Sequence, residues 1–332
     1  MKALKITVAV LILLTICYLI GPQPSTPKYT TTIPEVPTQP DSLEQYVLQH
    51  ELAHKLKPGN EAQIVWNNDS LKTQTEYAIV YLHGFSASQM EGDPVHRQIA
   101  KRFGCNLYLS RLQAHGIDTS APLGNFTAEG LWNSGVEALA IGKRLGKKVI
   151  LMSTSTGGTL ALKLAATYPD IAGLFLFSPN IEINDNKAWL LNNPWGLQIA
   201  KSIVGDMRTV PDTTAIYARY WNNKYKTSSV VQLQELLETT MKASVFEKVT
   251  QPTLLLYYYK NEKEQDPVVK VSAMKRMFRQ LGTPDSLKKA VAIPLAGDHV
   301  LASPIKSKDV AGVEKACIDF AITVLKWKSV TP

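Results

Sequence analysis

Residues Met152-Ser153-Thr154-Ser155-Thr156-Gly157-Gly158 follow an apolar run, Lys148 to Ser153, and open a helical pattern, Gly158 to Tyr168. An apolar run that passes through small residues into a helix marks a strand-turn-helix corner, where backbone packs on backbone and larger side chains would collide. Ser155 would then stand at the carboxyl end of a strand, the place where reactive groups gather in open parallel sheets. By itself the cluster also describes a turn that caps a helix, so the flanking sequence decides.

On both sides, apolar runs alternate with helical patterns. The candidate strands are Ala62 to Trp66, Tyr77 to Leu82, Asn106 to Leu109, Lys148 to Ser153, Gly173 to Phe177, Thr253 to Tyr259 and Ala290 to Pro294. Helical patterns such as Glu129 to Leu145 lie between several of them. Near-continuous apolar strands separated by helices imply a mostly parallel sheet covered on both faces, a doubly wound α/β fold. The alternation lapses from 179 to 249, a stretch with a helical pattern from Val230 to Met241 that also holds Trp189, Trp195, Tyr217, Tyr220 and Trp221. That reads as a helical lid or cap inserted into a core formed by 42–178 and 250–332.

Two further strand ends carry chemistry. Val80-Tyr81-Leu82-His83-Gly84-Phe85-Ser86 ends an early strand, and Leu295-Ala296-Gly297-Asp298-His299-Val300 follows the last one. A serine needs a base to attack at neutral pH, and histidine is the side chain whose ordinary pKa lies nearest. The corner around Ser155 resembles the G-x-S-x-G nucleophile elbow of the α/β hydrolases, with Ser153 in place of the first glycine. The His-Gly-apolar turn at His83 and the Gly-x-His-Val turn at His299 resemble that fold's oxyanion loop and histidine loop. Leu109-Ser110-Arg111-Leu112-Gln113-Ala114-His115-Gly116 is similar to the R-x-x-G-H-G stretch of monoglyceride-lipase-like and carboxylesterase-like members, with Ala114 for a glycine. Together the resemblance spans most of Ala62 to Leu325.

It implies Ser155 as nucleophile, His299 as general base and the N–H groups of Phe85 and Thr156 as oxyanion donors, with His83 shaping its loop. The third member should follow the preceding strand. Asp266, in Glu264-Gln265-Asp266-Pro267-Val268-Val269, has the family form, with Glu262 and Glu264 as close competitors; Asp298 adjoins His299 and cannot readily reach its ring. The expected activity is hydrolysis of small-molecule carboxylic esters, of lipid-like or apolar acyl type, through an acyl-enzyme, without metal or cofactor. A serine aminopeptidase and a non-catalytic binding protein are the alternatives on the same fold.

At the N-terminus, Lys2 and Lys5 precede an uncharged apolar stretch, Ile6 to Ile20, ending at Gly21-Pro22. This is the pattern of a signal anchor or secretory signal. No A-x-A-like site follows, which favours an uncleaved anchor over 1–21 and an exported, membrane-held enzyme; cleavage would make it secreted or periplasmic. Cys17 stands where a lipidated cysteine would, but Ile16 occupies the small-residue position before it. Residues 22–41, rich in Pro and Thr without an apolar period, predict an extended, poorly ordered tether.

His50-Glu51-Leu52-Ala53-His54 is a literal H-E-x-x-H, which on a helix would set two histidines toward zinc with Glu51 as base. No sheet precedes it to support such a helix and no third ligand stands out, so both histidines are expected to be exposed on an outer helix. The net charge of +8 comes from scattered pairs such as Lys147-Lys148 and Lys288-Lys289, which argues against nucleic acid as partner. Cys105 and Cys317, far apart in the chain, are expected to be small buried hydrophobes.

Overall fold

A computed structural model describes residues 1–330. Seven strands form one sheet: β1 (Gln63–Val65), β2 (Thr75–Leu82), β3 (Asn106–Leu109), β4 (Gly146–Thr154), β5 (Gly173–Phe177), β8 (Thr253–Tyr257) and β9 (Lys288–Ala292). Their spatial order is β1-β3-β2-β4-β5-β8-β9, parallel throughout except for β1, which pairs antiparallel with β3. β3, β5 and nearly all of β4 and β8 are buried along their length, because helices cover both faces. Two separate apolar layers result. One holds Trp132, Leu139, Leu160 and Met274, the other Ile99, Phe175, Cys317 and Phe320.

The helices of the body are α2 (Pro40–Leu52), α3 (Val95–Phe103), α4 (Ala128–Leu145), α5 (Thr156–Thr167), α10 (Val271–Gln280) and α11 (Val310–Thr323). Thr127 caps α4, its hydroxyl accepting from the Gly130 N–H at 3.0 Å. Between β5 and β8 lie α6 (Gly196–Val204), a hairpin of β6 (Met207–Thr209) and β7 (Lys224–Lys226), α7 (Ala215–Tyr220), α8 (Thr227–Thr240) and α9 (Ala243–Phe246). α8 packs on α4 and α5, so the second half of this insertion is continuous with the body. Its aromatic residues divide: Trp221 and Tyr225 are buried, whereas Trp189 and Trp195 are exposed.

α1 (Lys2–Leu19) is long and apolar enough to cross a membrane by length and composition, as a signal sequence also is, and none of its residues is buried. The Pro/Thr-rich segment after it has no regular secondary structure over most of its length and lies packed on the body. The Trp132 indole donates to the Thr30 carbonyl (2.7 Å), the Tyr168 hydroxyl to that of Thr31 (3.1 Å), and Val36 is buried. At its start the Trp195 N–H donates to the Pro22 carbonyl (2.9 Å) and the Trp195 indole to that of Cys17 (2.9 Å).

The H-E-x-x-H stretch is resolved by its partners. α2 ends at Leu52, so His54 falls beyond the helix, and both His50 and His54 are exposed. Glu51 is buried, with its carboxylate accepting from Arg111 Nε (2.7 Å) and the Ala62 N–H (2.9 Å). Among the described residues no group of three or more His, Cys, Asp or Glu side chains is arranged to hold a metal ion. Arg111 and Glu51 are both nearly inaccessible, and removing one partner of such a pair leaves a desolvated charge. Glu51→Ala is therefore expected to cost on the order of 3 kcal/mol in a urea melt while the folded fraction keeps its kcat. A loss of kcat at unchanged stability would reverse this assignment.

Candidate active site

The corner after β4 is strained. Ser155 sits at φ 52°, ψ −117°, a region L-residues rarely adopt and that costs on the order of 1–3 kcal/mol. Surrounding bonds hold it there. Its N–H donates to the Phe177 carbonyl (3.0 Å), and its carbonyl accepts from Gly158, Thr159 and Asn180. A Cβ on Gly157 would lie 1.9 Å from the Leu82 carbonyl oxygen, and one on Gly158 2.6 Å from Pro179 Cβ, so both glycines are steric requirements of the close approach. Ser153 is accommodated, its hydroxyl donating to the Phe175 carbonyl at 3.4 Å. Ser155 is the N-cap of α5 and its side chain makes no capping bond. It is left for other chemistry, beside the free N–H groups and positive end of the helix dipole.

β8 leads to Asp266, which is buried. One carboxylate oxygen accepts from the Val268 and Val269 N–H groups (2.9 and 3.0 Å), and the other faces His299 Nδ1 at 2.7 Å. The competing carboxylates point elsewhere: Glu262 accepts from the Tyr259 hydroxyl, and Glu264 from Lys260 and Asn261. Asp298 turns to the Val300 N–H and Lys306. His299 Nε2 is buried without a hydrogen-bond partner. Burial works to lower the His299 pKa; the adjoining Asp266 carboxylate, with Glu91 and Asp298, outweighs it, and the imidazole sits above its ordinary value.

The loop after β2 carries Phe85. His83 Nε2 accepts from the Leu112 N–H (3.0 Å), which leaves Nδ1 as donor to the Gly84 carbonyl (2.9 Å). His115 Nε2 accepts from the Ser86 N–H (3.0 Å), and its Nδ1 donates to the Gln113 carbonyl (2.8 Å). Burial holds both rings neutral, His83 well below the ordinary range and His115 down to about 4. The two histidines brace the loop, one from within it and one from the Arg111–Gly116 turn. Gly84 abuts Ser155: a Cβ there would lie 2.9 Å from Ser155 Cβ. Two other side chains close the site. Glu91 is buried beside Gly84, with burial pushing its carboxyl up to about 7. Trp221, from the insertion, packs with Ala87 and Val300, joining the loops that carry Phe85 and His299. Nothing in the local sequence singles out Glu91, and Trp221 is legible there only as one aromatic of the insertion, because its contacts with Ala87 and Val300 are distant in the chain.

A cleft of about 940 Å³ lies elsewhere, lined by residues including Thr30, His54, Gln113 and Glu137. It forms where the N-terminal segment and α2 flank α4, and none of the residues around Ser155 lines it.

The family described as "Serine aminopeptidase, S33" matches residues 136–292, which takes in Ser155 and Asp266 and stops short of His299. No curated protein matches the sequence. Similar solved structures include one from work on the metagenome-derived lipolytic enzymes LipS and LipT (17% identity, covering 80% of this chain and 98% of that chain, TM-score 0.61). Others are a monoacylglycerol lipase from Paleococcus ferrophilus (14%, 79% and 97%, 0.56) and Est1E from Butyrivibrio proteoclasticus with ferulic acid bound (16%, 80% and 95%, 0.53). The chain has the α/β-hydrolase fold.

Proposed function

We propose that the chain is a serine esterase that cleaves small-molecule carboxylic esters through an acyl-enzyme. The observation that carries this reading is the strained Ser155 corner in a sheet whose next strand ends supply the Asp266–His299 pair at 2.7 Å. In this mechanism His299 Nε2 takes the Ser155 proton as Oγ attacks the carbonyl carbon. Asp266 holds Nδ1–H in place and stabilises the imidazolium, and the N–H groups of Phe85 and Thr156 receive the oxyanion. Protein groups alone carry every step. Lipid-like or apolar acyl esters are the preferred substrates, residues 1–21 anchor the exported enzyme, 22–41 connect it to the core, and 179–249 form the cap.

The acid limb of the pH profile tests the base. A pKa above the ordinary value keeps His299 protonated, and so inactive as a base, to higher pH. kcat/KM on p-nitrophenyl butyrate should therefore rise with an apparent pKa above about 6.5. A limb centred near 5 would exclude His299 as this base.

The match to a family described by aminopeptidase activity favours one second reading, cleavage of amides behind a free N-terminus. Rates on p-nitrophenyl esters of two to twelve carbons against aminoacyl p-nitroanilides decide between them. Faster turnover of the anilides would overturn the esterase reading.

A further inference from the structure

Glu91 lies in the turn Gln89–Gly92 between β2 and α3, and is 2% exposed. One carboxylate oxygen accepts from the Gly84 N–H at 2.5 Å. A Cβ on Gly84 would meet both of these oxygens and Ser155 Cβ at 2.9 Å each, so only glycine lets carboxylate and nucleophile share that space. From the other elements, Trp221 of the insertion hydrogen-bonds to it, and Tyr81 on β2, Tyr217 of the insertion, and Asp298 and His299 after β9 are near enough to act on its charge. Of these groups only the imidazole can become a cation; Lys306, the nearest ammonium to Asp298, is held by Asp298 and Asp212.

A buried carboxyl without a fixed counter-ion is costly to ionise. Its counter-ion arises during the reaction, when His299 takes the proton of Ser155, so the attraction is stronger in the transition state than in the ground state. We propose that Glu91 is a second positioning carboxylate of this site: it pins the Gly84 N–H, and through it the peptide that presents Phe85, and its charge stabilises the His299 imidazolium. The proposal rests on the serine-hydrolase reading above.

The test is the pH dependence of labelling of the full-length protein in detergent by a fluorophosphonate, in which Ser155 Oγ displaces fluoride from phosphorus and passes its proton to His299. Glu91→Gln keeps an acceptor for Gly84 and removes the charge. Its labelling should be slower by about tenfold, with the midpoint of the acid limb moved to lower pH by about one unit. Glu91→Asp keeps a charge and shortens the reach to Gly84, so its maximum rate should fall while its midpoint stays near that of the wild type; it also serves if Glu91→Gln does not fold. A Glu91→Gln protein with the wild-type midpoint, or a Glu91→Asp protein with a clearly lowered one, overturns the proposal. Failure of the wild type to label at Ser155 at any pH overturns instead the hydrolase reading on which it stands.

Discussion

Ser155→Ala protein is expected to fold with a thermal midpoint close to that of the wild type and to lose ester turnover by roughly 10⁵-fold or more. The hydroxyl makes no capping bond, and the backbone bonds that hold the corner, from Gly158, Thr159 and Asn180 to the Ser155 carbonyl, do not involve it. Removing it therefore takes away the nucleophile and little else. Hydrolysis of p-nitrophenyl butyrate beside a circular-dichroism melt checks both halves. A variant that keeps even one part in a hundred of the wild-type kcat would mean that Ser155 is not the nucleophile.

The second large effect is expected at Asp266. In Asp266→Asn the amide oxygen can keep the bonds from Val268 and Val269. The amide N–H₂ then faces His299 Nδ1, where an acceptor stood at 2.7 Å. That reverses the tautomer: Nδ1 must accept, the proton moves to Nε2, and the ring can no longer take a proton from Ser155. A fall in kcat of about 10⁴-fold is expected with the fold intact. Glu264→Gln, whose carboxylate is occupied by Lys260 and Asn261, should leave kcat unchanged. Equal losses in the two variants would mean that the loop, not one carboxylate, orients the ring.

Much of this arrangement is legible in the chain because its signals are local. Asn106 to Leu109 and Gly173 to Phe177 agree with the observed strands, since buried parallel strands are unbroken apolar runs. The last strand is observed two residues earlier than its apolar pattern suggests, at Lys288–Ala292. It is an edge strand: Lys289 is exposed, while Lys288 lies over the Phe278 ring, so its two lysines break the apolar run. Ser155 and His299 stand at turns with characteristic small neighbours. Asp266 could not be told from Glu262 and Glu264 by sequence, because the choice depends on which carboxylate the backbone N–H groups of Val268 and Val269 fix. Glu51 meets Arg111 sixty residues away; a pairing of that range leaves no periodic trace. The Pro/Thr-rich segment misleads for another reason. It is held by single anchors, Tyr29 and Val36, and by its carbonyls, and none of these makes a pattern.

The docked course of that segment bears on where the chain can be shortened. A protein beginning at Asp41 would lose the carbonyls that satisfy the Trp132 indole and the Tyr168 hydroxyl, the edge-on contact of Tyr29 with Trp132, and the buried Val36. It would bare one flank of α4 and leave the indole N–H without its partner. A protein beginning near Pro24 would discard the apolar helix and keep that flank covered, so the boundary between what can be removed and what belongs to the folded body falls at the start of the segment and not at its end.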